Sequence, residues 1–132
     1  MESINVKATK YSPKIILDPE KKIFEIEGDS RPENVHSFYY PVVLKLDEIL
    51  NSIIQTEQQP FDLKANFKLY YFNSSSAKFI LDILSIFKSY IEKGLNVKIY
   101  WYFNEDDEDI KEAGEELSDM ISVQFNYVMV KA

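Results

Sequence analysis

The succession of hydrophobic patterns along the chain predicts an α/β fold: a mixed sheet of four to six strands, opened by an N-terminal β-hairpin and carrying about three helices mainly on one face. Three observations lead there. Short runs alternating with period two are separated by longer runs with helical periodicity. The connections between them are short, which suits right-handed crossovers between neighbouring strands. At 132 residues, 45% of them hydrophobic, the chain can bury one core but not two, so residues 1–132 are expected to form a single domain.

Taken in order, Ile4 to Ala8 and Lys14 to Leu17 are expected as short strands, interrupted by Pro13 and stopped by Asp18-Pro19. Lys22 to Glu27 alternates with Phe24 and Ile26 on one face, and these segments make the hairpin. Gly28-Asp29-Ser30-Arg31-Pro32-Glu33-Asn34 is rich in turn formers and reads as a loop. A helical pattern follows through Val42, Val43, Leu46, Ile49, Leu50, Ile53 and Ile54, with Pro41 opening its regular part, since proline fits a first turn and not an interior. Gln59-Pro60 closes that connection, and Phe61 to Phe72 is the first central strand. The second helix runs from about Ala77 to Glu92, with Gly94 as its stop. Val97 to Phe103 is another strand, Asp107 to Met120 a third helix, and Ile121 to Val130 a last strand.

Composition narrows the function. A net charge of −7 argues against nucleic acid or an anionic membrane surface as partner, because both reward a basic patch. No apolar run approaches the roughly 20 residues that span a bilayer, and the N-terminus lacks the apolar core of a secretory signal. A cytoplasmic location is the resulting expectation. Cysteine is absent, which removes disulfides, thiolate metal sites and cysteine nucleophiles.

Two stripes line the second helix. Ala77, Ile80, Leu84, Phe87 and Ile91 are expected to pack on the sheet, while Phe79, Ile83, Ile86 and Tyr90 flank them and are either covered by the first helix or left for a partner. At the mouth of this helix stands Asn73-Ser74-Ser75-Ser76-Ala77-Lys78. A strand ending directly in a helix leaves backbone N–H groups unpaired, which together with the helix dipole favour a negative charge. One serine could equally be an ordinary N-cap.

Enzymatic and metal chemistry find little support. His36 is the single histidine, and neither a G-x-S-x-G elbow nor a phosphate-cradling glycine loop is present. Glu25 and Glu27 share one strand face, the pattern of a solvated edge strand. Tyr70, Tyr100 and Tyr102 could stack on a ligand, but central strands place them more readily in the core or beneath a helix. The acidic run Glu105 to Asp109 does not match the ligand spacing of a calcium loop and reads as a solvated helix start. No catalytic residue, metal or cofactor is assigned.

The loop GDSRPEN (28–34), a first helix, LYYFNSSSAKFILDIL (69–84), and a strand ending in WYFNEDDED (101–109) before an acidic helix together resemble the SiaC family of bacterial regulatory phosphoproteins over nearly the whole chain. Such proteins look like the STAS-type antagonists of partner-switching systems. The resemblance therefore implies a STAS-like domain with a phosphorylatable hydroxyl at the start of the second major helix. It also implies a protein kinase that adds the phosphate, a protein phosphatase that removes it, and an unmodified form that binds and promotes a diguanylate cyclase. Cyclic di-GMP and biofilm or aggregation behaviour would be the output.

Carried over by position, the acceptor is the hydroxyl directly after Asn73, which is Ser74, with Ser75 and Ser76 as weaker alternatives. The implied partner surface comprises Asn73, Ser74, Ser75, Lys78 and Phe79, joined by Asp29, Ser30 and Arg31, although the 28–34 loop has an equally good structural role as a turn. A small-molecule or nucleotide binding module on the same scaffold is the alternative function, since fold alone does not fix activity.

Overall fold

The computed structural model describes residues 2–56 and 60–131. Gln59, part of the expected Gln59-Pro60 closure, lies outside them. Six strands form one sheet: β1 (Ile4–Val6), β2 (Lys14–Asp18), β3 (Ile23–Ser30), β4 (Asp62–Phe72), β5 (Asn96–Asn104) and β6 (Asn126–Val130). Their order in the sheet is their order in the chain. β1, β2 and β3 pair antiparallel, and β3 through β6 pair parallel. Each parallel step is bridged by one helix: α1 (Val35–Thr56), α2 (Ser74–Glu92) and α3 (Glu108–Ile121).

Three crossovers of one hand, all stepping in the same direction, must put their helices on the same face. α1 accordingly packs on α2 and α2 on α3. Beneath them the alternate strand residues Ile15, Leu17, Phe24, Ile26, Leu63, Ala65, Phe67, Leu69, Ile99 and Trp101 are buried. Phe24, Phe67 and Phe87 meet ring to ring where α2 crosses the sheet. The second stripe of α2 is covered by α1: Phe79, Ile83 and Tyr90 are buried, and the Tyr90 hydroxyl donates to the Asp47 carbonyl at 3.0 Å and carboxylate at 2.9 Å.

Several boundaries differ from the sequence expectation, each for a local reason. Gly28 to Ser30 is not loop but the end of β3, kept in the sheet by a bulge between Gly28 and Asp29. Gly28 adopts φ 127° there, a conformation that costs a residue with a side chain far more. Pro41 lies inside α1. The carbonyl it leaves unpaired belongs to Ser37, and both residues are exposed, so water replaces the missing bond. The N-cap is Asn34, whose side chain accepts from the Ser37 N–H at 3.0 Å. β6 begins at Asn126 because Ile121 still belongs to α3 and Ser122 ends that helix in the left-handed conformation, φ 56°.

Among the described residues, the opposite face of the sheet carries no helix. Tyr70, Tyr100 and Tyr102 lie on this open face, not in the core, with Lys64 and Lys68 above the rings of Tyr100 and Tyr102. Glu25 and Glu27 lie there too, on an inner strand and not an edge, where Lys14 bridges both and Lys68 reaches Glu25.

Candidate functional site

β4 delivers the chain straight into α2, with Asn73 as the only residue between them. Asn73 is the N-cap. Its backbone is extended (φ −83°, ψ 173°) and its side-chain oxygen accepts from the Ser76 N–H at 2.9 Å. The three serines are thus the first turn of the helix, and none of them caps it. Ala77 N–H closes the first helical bond on the Asn73 carbonyl at 2.9 Å. The N–H groups of Ser74 and Ser75 have no protein acceptor among the described residues, and both side chains are exposed. The first turn contains no acidic residue, whereas α3 opens with Glu108 and Asp109. A negative charge added to α2 would meet the positive end of the helix and no carboxylate in its own turn.

Ser76 is different from its neighbours, because it is fully buried. Its hydroxyl donates to the Ser30 carbonyl at 3.1 Å, and the Ser30 hydroxyl donates to Ser76 Oγ at 2.8 Å. With those protons assigned, the Tyr39 hydroxyl is the donor in its hydrogen bond to Ser30 Oγ. The chain Tyr39 to Ser30 to Ser76 ties α1, β3 and α2 together beneath the exposed serines. Burial pushes the Tyr39 phenol up to about 12, against the hydrogen bond to Ser30 that pulls the other way. It stays a neutral donor at any physiological pH.

Three positions expected at a partner surface or as acceptors, Ser30, Ser76 and Phe79, therefore need correction. Ser30 is buried, so it supports the site from below and does not touch a partner. Ser76 is shielded in the same way and is no accessible acceptor. Phe79 is 92% covered, with its ring stacked on Tyr39 at 5.5 Å and edge-on to His36 at 6.0 Å. Asn73 serves first as a cap. Ser74, Ser75 and Lys78 are exposed side by side on the first two turns of α2. Lys78 follows Ser74 by four residues, the spacing at which helical side chains meet.

The sheet register brings the second half of the sequence pattern to the same end of the molecule. Asp29 pairs with Tyr71 and Ser30 with Phe72, and the Asn73 N–H donates to the Ser30 carbonyl at 3.1 Å. Arg31 is next. Its guanidinium sits 5.4 Å from the Tyr11 ring and 5.9 Å from the Tyr71 ring, and its N–H donates to the Tyr11 carbonyl at 2.8 Å. Lys10 approaches the Tyr11 ring at 5.7 Å. Tyr11, Tyr71 and Tyr39 were not singled out from the sequence. For Tyr39 a signal existed: a phenol in line with Val42 and Leu46 on the apolar stripe of α1 must find a buried partner.

Among the described residues, no helix is long and apolar enough to cross a membrane. A family model described as SiaC family regulatory phosphoprotein matches residues 6–130. A protein of Pseudomonas aeruginosa (strain UCBPP-PA14), named only as uncharacterized, is 26% identical over 125 residues, covering 95% of this chain and 94% of its own. Among solved structures, SiaC of Pseudomonas aeruginosa superposes with a TM-score of 0.78 at 23% identity, with full coverage of both chains. A crystal structure of the diguanylate cyclase SiaD in complex with its activator SiaC, also from P. aeruginosa, gives a TM-score of 0.78 at 23% identity and covers 98% of this chain and 99% of that one. At these identities the structures speak for the fold; the family rests on the model match.

Proposed function

Because this chain belongs to the SiaC family of regulatory phosphoproteins, we propose that it is a non-catalytic signalling adaptor switched at Ser74. In this reading a protein kinase phosphorylates Ser74, a protein phosphatase reverses it, and the unmodified form binds and regulates a diguanylate cyclase in the cytoplasm. Cyclic di-GMP production and biofilm or aggregation behaviour follow from that contact. The observation that carries the reading is the division of labour in one helical turn: Asn73 caps and Ser76 is locked underneath, so Ser74 is left exposed with no structural task.

The switch follows from electrostatics. A phosphoryl group adds about −1.5 to −2 charges. At the positive end of α2, with Lys78 four residues on, that charge is tolerated by the folded domain. A docked cyclase would instead have to desolvate it. An uncompensated dianion that costs association about 2.7 kcal/mol weakens binding roughly a hundredfold, and burying an unpaired charge readily costs that much. Ser75 is equally exposed, so the choice of Ser74 over it rests on the family pattern at the position after Asn73.

The test combines two measurements. Intact-mass and peptide analysis after incubation with candidate protein kinases from the same genome is expected to place one phosphate on Ser74. Binding of the unmodified and enzymatically phosphorylated protein to a diguanylate cyclase from the same genome should then differ by about a hundredfold. A modification confined to other residues, or equal binding of both forms, would overturn the proposal.

A further inference from the structure

The open face of the sheet divides into two electrostatic halves. Toward β2 and β3, lysines and carboxylates satisfy one another: Lys14 lies 2.9 Å from Glu25 and 3.1 Å from Glu27, and Lys68 lies 3.0 Å from Glu25. At the starts of β4 and β5 the pattern breaks. Lys64 is paired in register with Lys98, both exposed, and neither has a carboxylate within ion-pair distance among the described residues. Like charges directly opposite across two strands repel. In a chain of net charge −7, two adjacent lysines without a counter-ion are a local cost that an anion would remove.

Two further groups line the same place, and a third lies next to it. Tyr100 presents a half-buried ring beside Lys64, whose ammonium lies 4.8 Å from the ring centre. Asn66 is opposite Tyr100 in register. It is only 4% exposed, with its side-chain oxygen buried, so it lies beneath the face and outside the lining of the depression. Asp62 accepts from the Asn96 side-chain amide at 2.7 Å, which fixes the carboxylate at the rim and leaves it further acceptor capacity. Asp62, Lys64, Asn96, Lys98 and Tyr100 line one depression of the surface.

A pair of cations, a flat aromatic ring and a rim carboxylate together match one ligand chemistry. We propose that this depression binds a nucleoside monophosphate. The phosphate bridges Lys64 and Lys98, and Lys64 leaves the Tyr100 ring to make that contact. The base takes its place on the ring, and sugar hydroxyls donate to Asp62. A nucleic acid strand is the poorer occupant, because a continuing backbone would run onto Glu25 and Glu27 or the acidic remainder of the surface. This site lies at the opposite end of β4 from Ser74, so it is independent of the phosphorylation switch.

Titration of the full chain with AMP and with GMP tests the assignment, followed by calorimetry and by backbone amide shifts. Saturable binding is expected, with shifts at Lys64, Asn66, Lys98 and Tyr100. Inorganic phosphate alone and adenosine alone should each bind at least about tenfold more weakly than AMP. Lys98→Glu and Tyr100→Ala should each weaken nucleotide binding by about tenfold or more while the domain stays folded, with Lys98→Ala as a milder variant should the charge reversal disturb the strand. Ser74→Ala should bind like the parent. The proposal is overturned by absence of saturable binding, by phosphate binding as tightly as the nucleotides, by preference for a single-stranded oligonucleotide, or by shifts confined to another surface.

Discussion

Ser30 and Ser76, 46 residues apart in sequence, form a closed pair: the Ser30 hydroxyl donates to Ser76 Oγ, and the Ser76 hydroxyl donates back to the Ser30 carbonyl. The register shift between Gly28 and Asp29, where β4 contributes Tyr70 as the extra residue, makes this possible by setting Ser30 opposite Phe72 and under the first turn of α2. The exposed serines above are thereby mounted on a fixed base.

That base should be measurable. Ser30→Ala strands the buried Tyr39 hydroxyl, and we predict a loss of about 1–3 kcal/mol in urea denaturation. Tyr39→Phe removes one donor and leaves Ser30 still bonded to Ser76, so its cost should be smaller, about 1 kcal/mol. Equal costs for both variants would contradict the order of donors assigned above.

Asn73→Ala removes the cap of α2 and should cost about 1 kcal/mol, while Asn73→Asp keeps an acceptor oxygen and should be close to neutral. Thermal unfolding of the two variants separates the capping role of Asn73 from any contact with a partner, which binding measurements on the well-folded Asp variant would report.

Acid should destabilise the fold through Glu25. Burial pushes its carboxyl up, but hydrogen bonds from Lys14 and Lys68, with their charges, outweigh this and hold it below its ordinary value of 4.5. A carboxylate with a lowered folded value binds protons more readily once unfolded. Its contribution is therefore present above pH 4.5 and lost as pH falls through the lower folded value. Stability measured from pH 6 downward should decline below about 4.5, and Glu25→Gln should start lower and flatten that decline.

Gly114 is a close approach. A Cβ placed there would lie 2.5 to 2.7 Å from three atoms of the Trp101 ring, and that ring is held by its own N–H on the Ile110 carbonyl at 2.9 Å. Gly114→Ala should gain about 1 kcal/mol in helix propensity yet be destabilising overall by about 1–3 kcal/mol, because the core must shift to admit the methyl group. A changed Trp101 fluorescence spectrum should accompany the loss.

Phosphorylation of Ser74 should leave the far-ultraviolet spectrum unchanged and raise stability slightly, by about 0.3–1 kcal/mol at low salt, through the dipole of α2. Lys78→Ala should shrink the increment and added salt should screen it. A Tm that falls several degrees on modification would indicate that Ser74 has a structural role after all.

The element order and the helix face of the sheet were legible in the sequence because they depend on periodicity, which is a local property. The strand-to-helix junction at Asn73 was legible for the same reason. What escaped depends on partners distant in the chain. Gly28-Asp29-Ser30 has the composition of a turn, and only pairing with Leu69 to Phe72 makes it strand. Three adjacent serines look alike until Ser30 and Tyr39 select Ser76 for burial. The tyrosines of β4 and β5 read as core residues because aromatic side chains usually are, whereas the chain-order sheet leaves their face without a helix. Pro41 was misplaced since propensity is overridden wherever solvent can satisfy the orphaned carbonyl.

The chain-order sheet also bears on how the molecule is made. No strand has to insert between two that have already paired, so every segment leaving the ribosome finds its neighbour waiting at the growing edge. The β1 to β3 hairpin layers can serve as the template, and each following helix-and-strand unit docks without undoing earlier pairing. Synthesis and assembly can run in the same direction, with the serine turn that opens α2 completed as soon as that helix emerges onto a finished β3.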